Sequence, residues 1–334
     1  MTLNAPSWEK VIAILKEYQR FALGCHLHPD GDGIGSVLAL GLSLQKLGKQ
    51  VDMILPEGIP VTFGFLPEIN QTVTYPTLQP EVVISLDCAE RDRLQLPDEL
   101  FRTDPLLVNI DHHISNDGFG QVNLVLPAAA ATGQIVYQLL KKASLPMDSP
   151  IATALYTAIA TDTGFFRYAN TTGEVLSAAA QLVADYQISP SLIAERVYEE
   201  RSFASLRLLA EVLATLQVAD NTRYAWMYLN QEMARKYEVE LEEIENYVNY
   251  TSSIRGIEVG LFFKETNPGE VKISWRSKAS VDVSRLASHF GGGGHARAAG
   301  CSINGSLTTV MAEVLAYLQN YFEANKEEKA DLLA

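Results

Sequence analysis

Four short segments concentrate hard ligands: His26, His28, Asp30 and Asp32 in HLHPDGDGIGS, Asp87 after VVISL, Asp111-His112-His113 after LLVNI, and Asp162 in ATDTGFF. His26, Asp30, Asp32, Asp87, His112 and Asp162 together make four carboxylates and two imidazoles without a thiolate, which suits Mn²⁺ or Mg²⁺ better than structural zinc. A lone aspartate at a strand end is ordinarily a cap or turn residue, and a lone histidine beside an apolar run ordinarily packs. The concentration departs from that, because four of the chain's six histidines fall in two of these clusters. Four carboxylates carry −4 and two divalent ions +4, so the set reads as a dinuclear site. Two metals about 3.5–4 Å apart lower the pKa of a water held between them, so hydroxide is the expected nucleophile. The string GDGIG after a strand resembles a dinucleotide loop, but its spacing is not GxGxxG and its aspartates would repel a pyrophosphate. Cys25 and Cys88 follow apolar runs and read as small buried side chains.

Such ligands need a rigid frame. RFALGCHL, EVVISL and LLVNI are short, nearly continuous apolar runs, which suits strands covered on both faces. The expectation is an α/β domain with a parallel sheet whose carboxyl ends carry the polar clusters. SVLALGLSLQKLGK, closing at Gly48, and ATGQIVYQLLKKA read as amphipathic crossover helices. ISPSLIAERVYEERSFASLRLLAEVLATLQ, with Ser189 as N-cap and Pro190 at the first helical position, predicts a helical connection. From Val218 the strands TRYAWMYL, IEVGLFF and VKISWRS, separated by a charged helix over EVELEEIENYVNYTSS, predict a smaller α+β domain. The boundaries expected are a catalytic domain over 1–187, a helical linker over 188–217 and a substrate-binding domain over 218–334, ending in a frayed ANKEEKADLLA.

Between Val271 and Cys301 the charges are Lys272, Arg276, Lys278, Arg285 and Arg297 against Asp282, +5 − 1 = +4 in a chain of −14. Gly291 to Gly294 permit close backbone approach, and His295 and Arg297 follow. By themselves four glycines read as a flexible turn with solvated charges; with Arg276 upstream, the resemblance of WRSKASVDVSRLASHFGGGGHARAAG to a known C-terminal domain signature implies that Arg276, Gly293, Gly294, His295 and Arg297 are substrate contacts. Strand alternation places Trp275 on the face opposite Arg276, in the core.

HLHPDGDGIGS, SLDCAERDR, NIDHHISN and ATDTGFFRYANTT resemble the four signature motifs of the DHH phosphoesterase superfamily, and WRSKASVDVSRLASHFGGGGHARAAG resembles the signature of its DHH-associated C-terminal domain. The motifs run in order from residue 26 to 301, and the two-domain layout resembles the NrnA-type branch of nanoRNases and pAp phosphatases. The resemblance implies one metal on His26, Asp30, Asp87 and Asp162 and a second on Asp32, Asp87, His112 and Asp162, with Asp87 and Asp162 bridging. It also implies that His113 faces the substrate phosphate with Asn116 and Arg167 beside it, that Asp111 orients the cluster without binding metal, and that the active site lies in the interdomain cleft. One departure is Gln134, where the family often carries an acid two positions after Thr132.

At −14 the 334-residue chain is too acidic for one long phosphate-tracking groove, and its length suits two domains. The opening MTLNAPSWEKVIAILKEYQRF reads as an amphipathic helix and not a signal peptide, no run of about 18 apolar residues is present, and three sparse cysteines suit a reducing cytoplasm. The expected function is hydrolysis of RNAs of a few nucleotides, and of 3′-phosphoadenosine 5′-phosphate, with two Mn²⁺ or Mg²⁺, no long nucleic acid or membrane partner, and a homodimer in keeping with the superfamily. The alternative is a phosphodiesterase for cyclic di-AMP or its linear product pApA. Pyrophosphate cleavage lacks the Lys/Arg-rich C-terminal motif of the family members that perform it. A non-catalytic nucleotide sensor would lack a ligand, and an NAD-dependent dehydrogenase is opposed by the aspartates in the glycine string.

Overall fold

A computed structural model describes residues 7–94, 96–220, 222–239, 244–278 and 281–331, with the backbone alone at Glu245, Thr266, His295 and 326–331. The chain divides into two compact units, Met1–Glu200 and Arg201–Ala334. The division falls inside the segment expected as a linker. That segment is a short helix from Pro190 to Ala194 running into a π-turn over Glu195–Glu199, then a separate helix from Phe203 to Ala214. Ser189 caps the first of these through Leu192 N–H, with Pro190 at the first helical position.

The first unit is built on five parallel strands, β1 (Arg20–Gly24), β2 (Gln50–Met53), β3 (Val82–Leu86), β4 (Leu106–Asp111) and β5 (Val122–Val125), in the order β2-β1-β3-β4-β5. Side chains alternate between two apolar layers. Phe21, Leu23, Val82, Ile84 and Leu86 enter the main core with the helices, whereas Ala22 and Val83 meet Ile54, Leu94, Leu96 and Leu100 on the other face. That second face is covered by irregular crossovers with 3₁₀ turns at Arg91–Arg93 and Asp98–Phe101, not by crossover helices.

On the helical face lie α1 (Trp8–Glu17), α2 (Gly31–Lys46), α3 (Thr132–Ala143), α4 (Ser149–Asp162) and α5 (Gly173–Tyr186). Helix α2 begins five residues earlier than SVLALGLSLQK suggests, so the glycine string is its first turn and not a loop. Close packing explains the composition: a Cβ on Gly35 would sit 2.5 Å from the Ala154 carbonyl oxygen of α4. Helix α4 is apolar almost all round because it is the central buried helix of the layer.

The second unit carries a six-stranded sheet, β6 (Gln217–Val218), β7 (Tyr224–Leu229), β8 (Val259–Asn267), β9 (Glu270–Ser277), β10 (Gly293–His295) and β11 (Ala298–Asn304), in the order β10-β11-β9-β8-β7-β6. Strands β7 and β8 run parallel; the other neighbouring pairs are antiparallel. Trp275, Ile273 and Phe263 pack one face against Val314, Leu318 and Phe322 of the helix Leu307–Asp331, and Met227 and Phe262 pack the other against Leu208 and Val212. The charged helix expected before β8 lies partly outside the described residues, at 240–243; its described part is a 3₁₀ turn at Glu245–Tyr247 and a helix over Val248–Ser253. The tail ANKEEKAD does not fray but continues the last helix to Asp331, and residues 332–334 lie outside the described residues.

Candidate metal centre

The carboxyl ends of β1, β3 and β4 bring His26, Asp87 and the Asp111-His112-His113 triplet together. Asp30 and Asp32 come from the start of α2, and Asp162 from the end of α4. Asp30 is the N-cap of α2, its Oδ1 accepting from Asp32 N–H at 3.0 Å and Gly33 N–H at 3.1 Å. The cap is thus the side chain expected as a ligand. Asp87 has φ 57°, a left-handed conformation that costs an L-residue about 1–2 kcal/mol and that Asp and Asn tolerate best.

The donor atoms fall into three overlapping groups, His26/Asp30/Asp87, Asp32/His112/Asp162 and Asp87/His112/His113, within each of which the atoms lie no more than 4.8 Å apart. His26 Nε2 lies 3.7 Å from Asp30 Oδ1 and 3.5 Å from Asp87 Oδ2. His112 Nε2 lies 3.8 Å from Asp32 Oδ2, 3.6 Å from Asp87 Oδ1 and 3.5 Å from Asp162 Oδ2. Asp87 therefore offers one oxygen to each histidine, while Asp162 stands with Asp32 and His112.

These separations are too long for N–H···O hydrogen bonds, which cluster at about 2.7–3.2 Å. They suit donors sharing an ion: two bonds of about 2.1 Å opened to 90–120° put their ends about 3.0–3.6 Å apart. The electrostatics point the same way. Asp32, Asp87 and Asp111 are all buried to 2% exposure or less, where uncompensated carboxylates are costly. Burial, then repulsion from Asp87, Asp162 and Asp30, pushes the Asp32 carboxyl well above its ordinary range; burial likewise raises Asp162 to about 7, against the pull of His112. Asp162 also sits at the C-terminus of α4, the negative end of its dipole. Burial works against charge on His26, but Asp30 and Asp87 outweigh it and push the imidazole up to about 11. Burial works against ionisation of Asp87 too, yet His26, His112 and His113 hold it far below the carboxylate range. Protons on His26 and His113 occupy the role that divalent cations would take, so the residues fit the metals expected of them.

Asp111 is fully buried, with Oδ1 at 2.7 Å from His113 Nδ1 and Oδ2 accepting from Asn116 Nδ2 at 2.6 Å. It orients His113. Burial opposes charge on that ring, but the hydrogen bond to Asp111, with the charges of Asp87, Asp111 and Asp162, raises it to about 9. Asn116, expected beside substrate, is instead buried and committed: its Nδ2 also donates to the Cys88 carbonyl at 3.1 Å, and its Oδ1 accepts from Gly118 N–H at 2.8 Å. It acts through Asp111. Arg167 is exposed, its Nε donating to the Gly164 carbonyl and its guanidinium 5.7 Å from the Tyr198 ring. Burial raises the thiols of Cys25 and Cys88, the latter to about 11, which disfavours the thiolate in both.

Sequence reading placed α3 but missed what the residues at its start hold. Thr132 N–H donates to Asp32 Oδ2 at 2.6 Å and Gly133 N–H to Asp32 Oδ1 at 2.7 Å, while Thr132 Oγ1 donates to Asp87 Oδ1 at 3.0 Å. The signal was Ala131, an N-cap residue with no side-chain acceptor, which requires a cap from elsewhere. Gln134 fills the place where an acid was expected by accepting from Ala130 N–H at 2.8 Å.

In the second unit, Ala298 pairs with Arg276 on β9 and with His295 on β10, so the three fall in one cross-strand row. The His295 side chain lies outside the described residues. Arg276 Nη1 donates to the Trp275 carbonyl at 2.9 Å, and the exposed Arg297 donates to the Val281 carbonyl at 2.8 Å. Trp275 is fully buried, as alternation requires, with Nε1 donating to Cys301 Sγ at 3.3 Å. Gly293 and Gly294 lie on β10, and the hairpin itself explains Gly294: φ is 137° and a Cβ would meet the Ala298 carbonyl oxygen at 2.6 Å.

Residues 20–159 match the family model "DHH family, N-terminal domain", and residues 221–324 match the "DHHA1 domain". The chain is 34% identical over 312 residues to the bifunctional oligoribonuclease and PAP phosphatase NrnA of Thermus thermophilus, covering 90% of this chain and 92% of that protein. It is 26% identical over 297 residues to the Bacillus subtilis protein of the same name, covering 88% and 92%. The crystal structure of an exopolyphosphatase-related protein from Bacteroides fragilis superposes with a TM-score of 0.86 at 26% identity, covering 96% of each chain. No helix among the described residues is long and apolar enough to cross a membrane. With a relative 34% identical along nearly its whole length, and both domain models matched in order, the chain belongs to the DHH family, in the NrnA-type branch that joins a DHH domain to a DHHA1 domain.

Proposed function

We propose that this chain is a Mn²⁺-dependent phosphohydrolase that degrades oligoribonucleotides of a few residues to mononucleotides and removes a phosphate from 3′-phosphoadenosine 5′-phosphate. The observation that carries the reading is the pair of ligand groups joined at Asp87, with N···O separations of 3.5–3.8 Å. His26, Asp30 and Asp87 hold one cation, and Asp32, Asp87, His112 and Asp162 the other, so Asp87 bridges and Asp162, which the resemblance implied on both cations, is assigned to the second, where it groups with Asp32 and His112. Bound there, divalent cations supply Lewis-acid polarisation of the phosphoryl group and an activated water.

The chain's own groups do the rest. Asp111 keeps a proton on His113 Nδ1 and fixes the ring plane, so that the imidazolium meets a phosphoryl oxygen with positive charge. Asn116 holds Asp111 in turn. Asp32 is locked by Thr132 and Gly133 N–H, which leaves its syn and anti lone pairs fixed in direction. In the second unit, Arg276, Gly293, Gly294, His295 and Arg297 supply phosphate and base contacts, with Arg167 as a further contact from the first. A basic stretch of +4 within a chain of −14 suits a short substrate terminus and not a long polymer. The catalytic role falls to 1–187, the linker to 188–217 and substrate binding to 218–334. Buried, unpaired Cys25, Cys88 and Cys301 support a reducing, cytoplasmic setting, and a homodimer is the expected assembly.

A side-by-side Mn²⁺ assay on pApA, longer oligoribonucleotides, pAp, cyclic di-AMP and pyrophosphate tests the reading. Turnover of short RNAs and pAp is expected to dominate. Exclusive cleavage of cyclic di-AMP, or of pyrophosphate, would overturn the substrate class.

A further inference from the structure

One five-residue stretch, Ala129–Gly133, touches every ligand of the second cation group except Asp162. The Ala129 carbonyl faces His112 Nδ1 at 3.3 Å, which directs Nε2 toward the carboxylates in the tautomer protonated on Nδ1. Thr132 and Gly133 N–H hold Asp32, and the Thr132 hydroxyl holds Asp87. The missing tie to Asp162 is made by Asn170, whose Nδ2 donates to the Ala130 carbonyl and to the Asp162 carbonyl, each at 3.1 Å. Both facing groups are carbonyl oxygens, so the amide nitrogen must point at them. Its Oδ1 is buried with no hydrogen-bond partner among the described residues, a cost of about 1–3 kcal/mol. A short side chain with two donors on one atom is therefore what this position uses; Ser or Thr would supply one.

We propose that Asn170 is a positioning residue that sets the second cation's site: it locks the C-terminus of α4, with Asp162, to the stretch that orients His112, Asp32 and Asp87. The inference rests on the two-cation reading above. The first group draws on His26 and Asp30, which Asn170 does not reach through any of these hydrogen bonds, so the two cations respond unequally to its loss.

The test is calorimetric titration of the full chain with Mn²⁺, paired with Mn²⁺ electron paramagnetic resonance. Wild type is expected to bind two ions and to show a coupled-pair spectrum. In Asn170→Ala the first affinity should stay within about threefold, while the second weakens about 10–100-fold, the range for losing a group that orients ligands. At two equivalents the spectrum should be that of an isolated ion. Asn170→Asp, nearly isosteric but without either donor, should behave alike and serves if the alanine variant does not fold. Thr171→Val removes a neighbouring buried hydroxyl that has no hydrogen-bond partner among the described residues, and should leave both affinities unchanged. Retention of the second affinity in the Asn170 variants, or an equal loss of both, overturns the inference. A wild type that fails to bind two ions overturns the underlying reading instead.

Discussion

Asp87→Asn separates ligation from folding more cleanly than any other change in the centre. The left-handed φ of 57° is one that Asn adopts as readily as Asp, and the substitution is isosteric at a site 2% exposed, so neither backbone strain nor a cavity is introduced. What changes is one oxygen and one charge. Asp87 Oδ2 faces His26 at 3.5 Å and Oδ1 faces His112 at 3.6 Å, so whichever way the amide settles, one cation group loses an anionic donor to an NH₂ that cannot ligate. With the nitrogen toward Thr132, the hydroxyl loses its acceptor as well. Losing a single preorganised charge contact at a reacting centre costs about 10²–10³ in kcat, and here a ligand shared by two groups is lost. We expect kcat on pApA to fall at least 10³-fold, about 4 kcal/mol at 1.36 kcal/mol per decade. Calorimetry with Mn²⁺ should show one ion bound where wild type binds two, and circular dichroism should show an unchanged fold. Turnover within tenfold of wild type at saturating Mn²⁺, or two ions bound at wild-type affinity, refutes the assignment of Asp87 as the shared ligand.

Three further outcomes follow from other parts of the structure. The metal-free protein should lose stability between pH 6 and 8. Asp162 is raised from 3.8 to about 7 and His26 from 6.5 to about 11, so the folded state keeps protons that the unfolded chain releases; Asp87, ionised in both states across this window, adds no slope. Mn²⁺ displaces those protons, so its stabilisation of Tm should be larger at pH 8 than at pH 6, and an equal or smaller shift in differential scanning fluorimetry counts against these ligands. Gly35→Ala forces a Cβ to 2.5 Å from the Ala154 carbonyl oxygen and should cost about 1–3 kcal/mol in urea unfolding, with a neutral result contradicting the α2–α4 packing. Arg276→Ala should raise KM for pApA about 10–100-fold, from loss of a charged hydrogen bond of about 1.5–3 kcal/mol, with kcat little changed; a loss confined to kcat would remove Arg276 from substrate binding.

The strands that carry the ligands were legible because parallel strands buried on both faces read as unbroken apolar runs, and β1, β3 and β4 are such runs. The strands β2 and β5 were not. Each has four residues, lies at an edge of the sheet and is half-exposed at its start, so QVDM and VNLV carry no periodic signal. The start of α2 was misplaced for a different reason. Glycine and aspartate are poor helix formers, and only the approach of α4 makes glycine the residue that fits. Among site residues, the clustered carboxylates and imidazoles proposed as ligands announced themselves by chemical type. The groups that orient them did not: Thr132 and Gly133 act through backbone N–H groups one hundred residues from Asp32, and Asn116 serves Asp111 although its position suggested substrate.

Local hydrogen bonding uses the same carboxylates that the proposed metal chemistry would use. Asp30 caps α2, and Asp32 stands in for the cap that Ala131 cannot give α3, so two helix N-termini are satisfied by ligands of the centre. An N-terminal dipole stabilises the carboxylate anion, which offsets part of the burial that would otherwise protonate Asp32. This also ties the ligands to the frame: a carboxylate that accepts two N–H groups cannot swing toward solvent when its cation leaves without uncapping a helix, at about 1 kcal/mol or more. The same reasoning sharpens the meaning of the net charge. Four of the acidic residues behind −14 are candidate ligands of this centre, where two divalent ions would bring the total near −10, and the stretch from Val271 to Cys301 is the basic exception at +4. On the proposed reading a net charge near −10 would repel a long RNA, whereas a few nucleotides need only the basic stretch and the cations, so the charge balance bears on substrate length and not on substrate class.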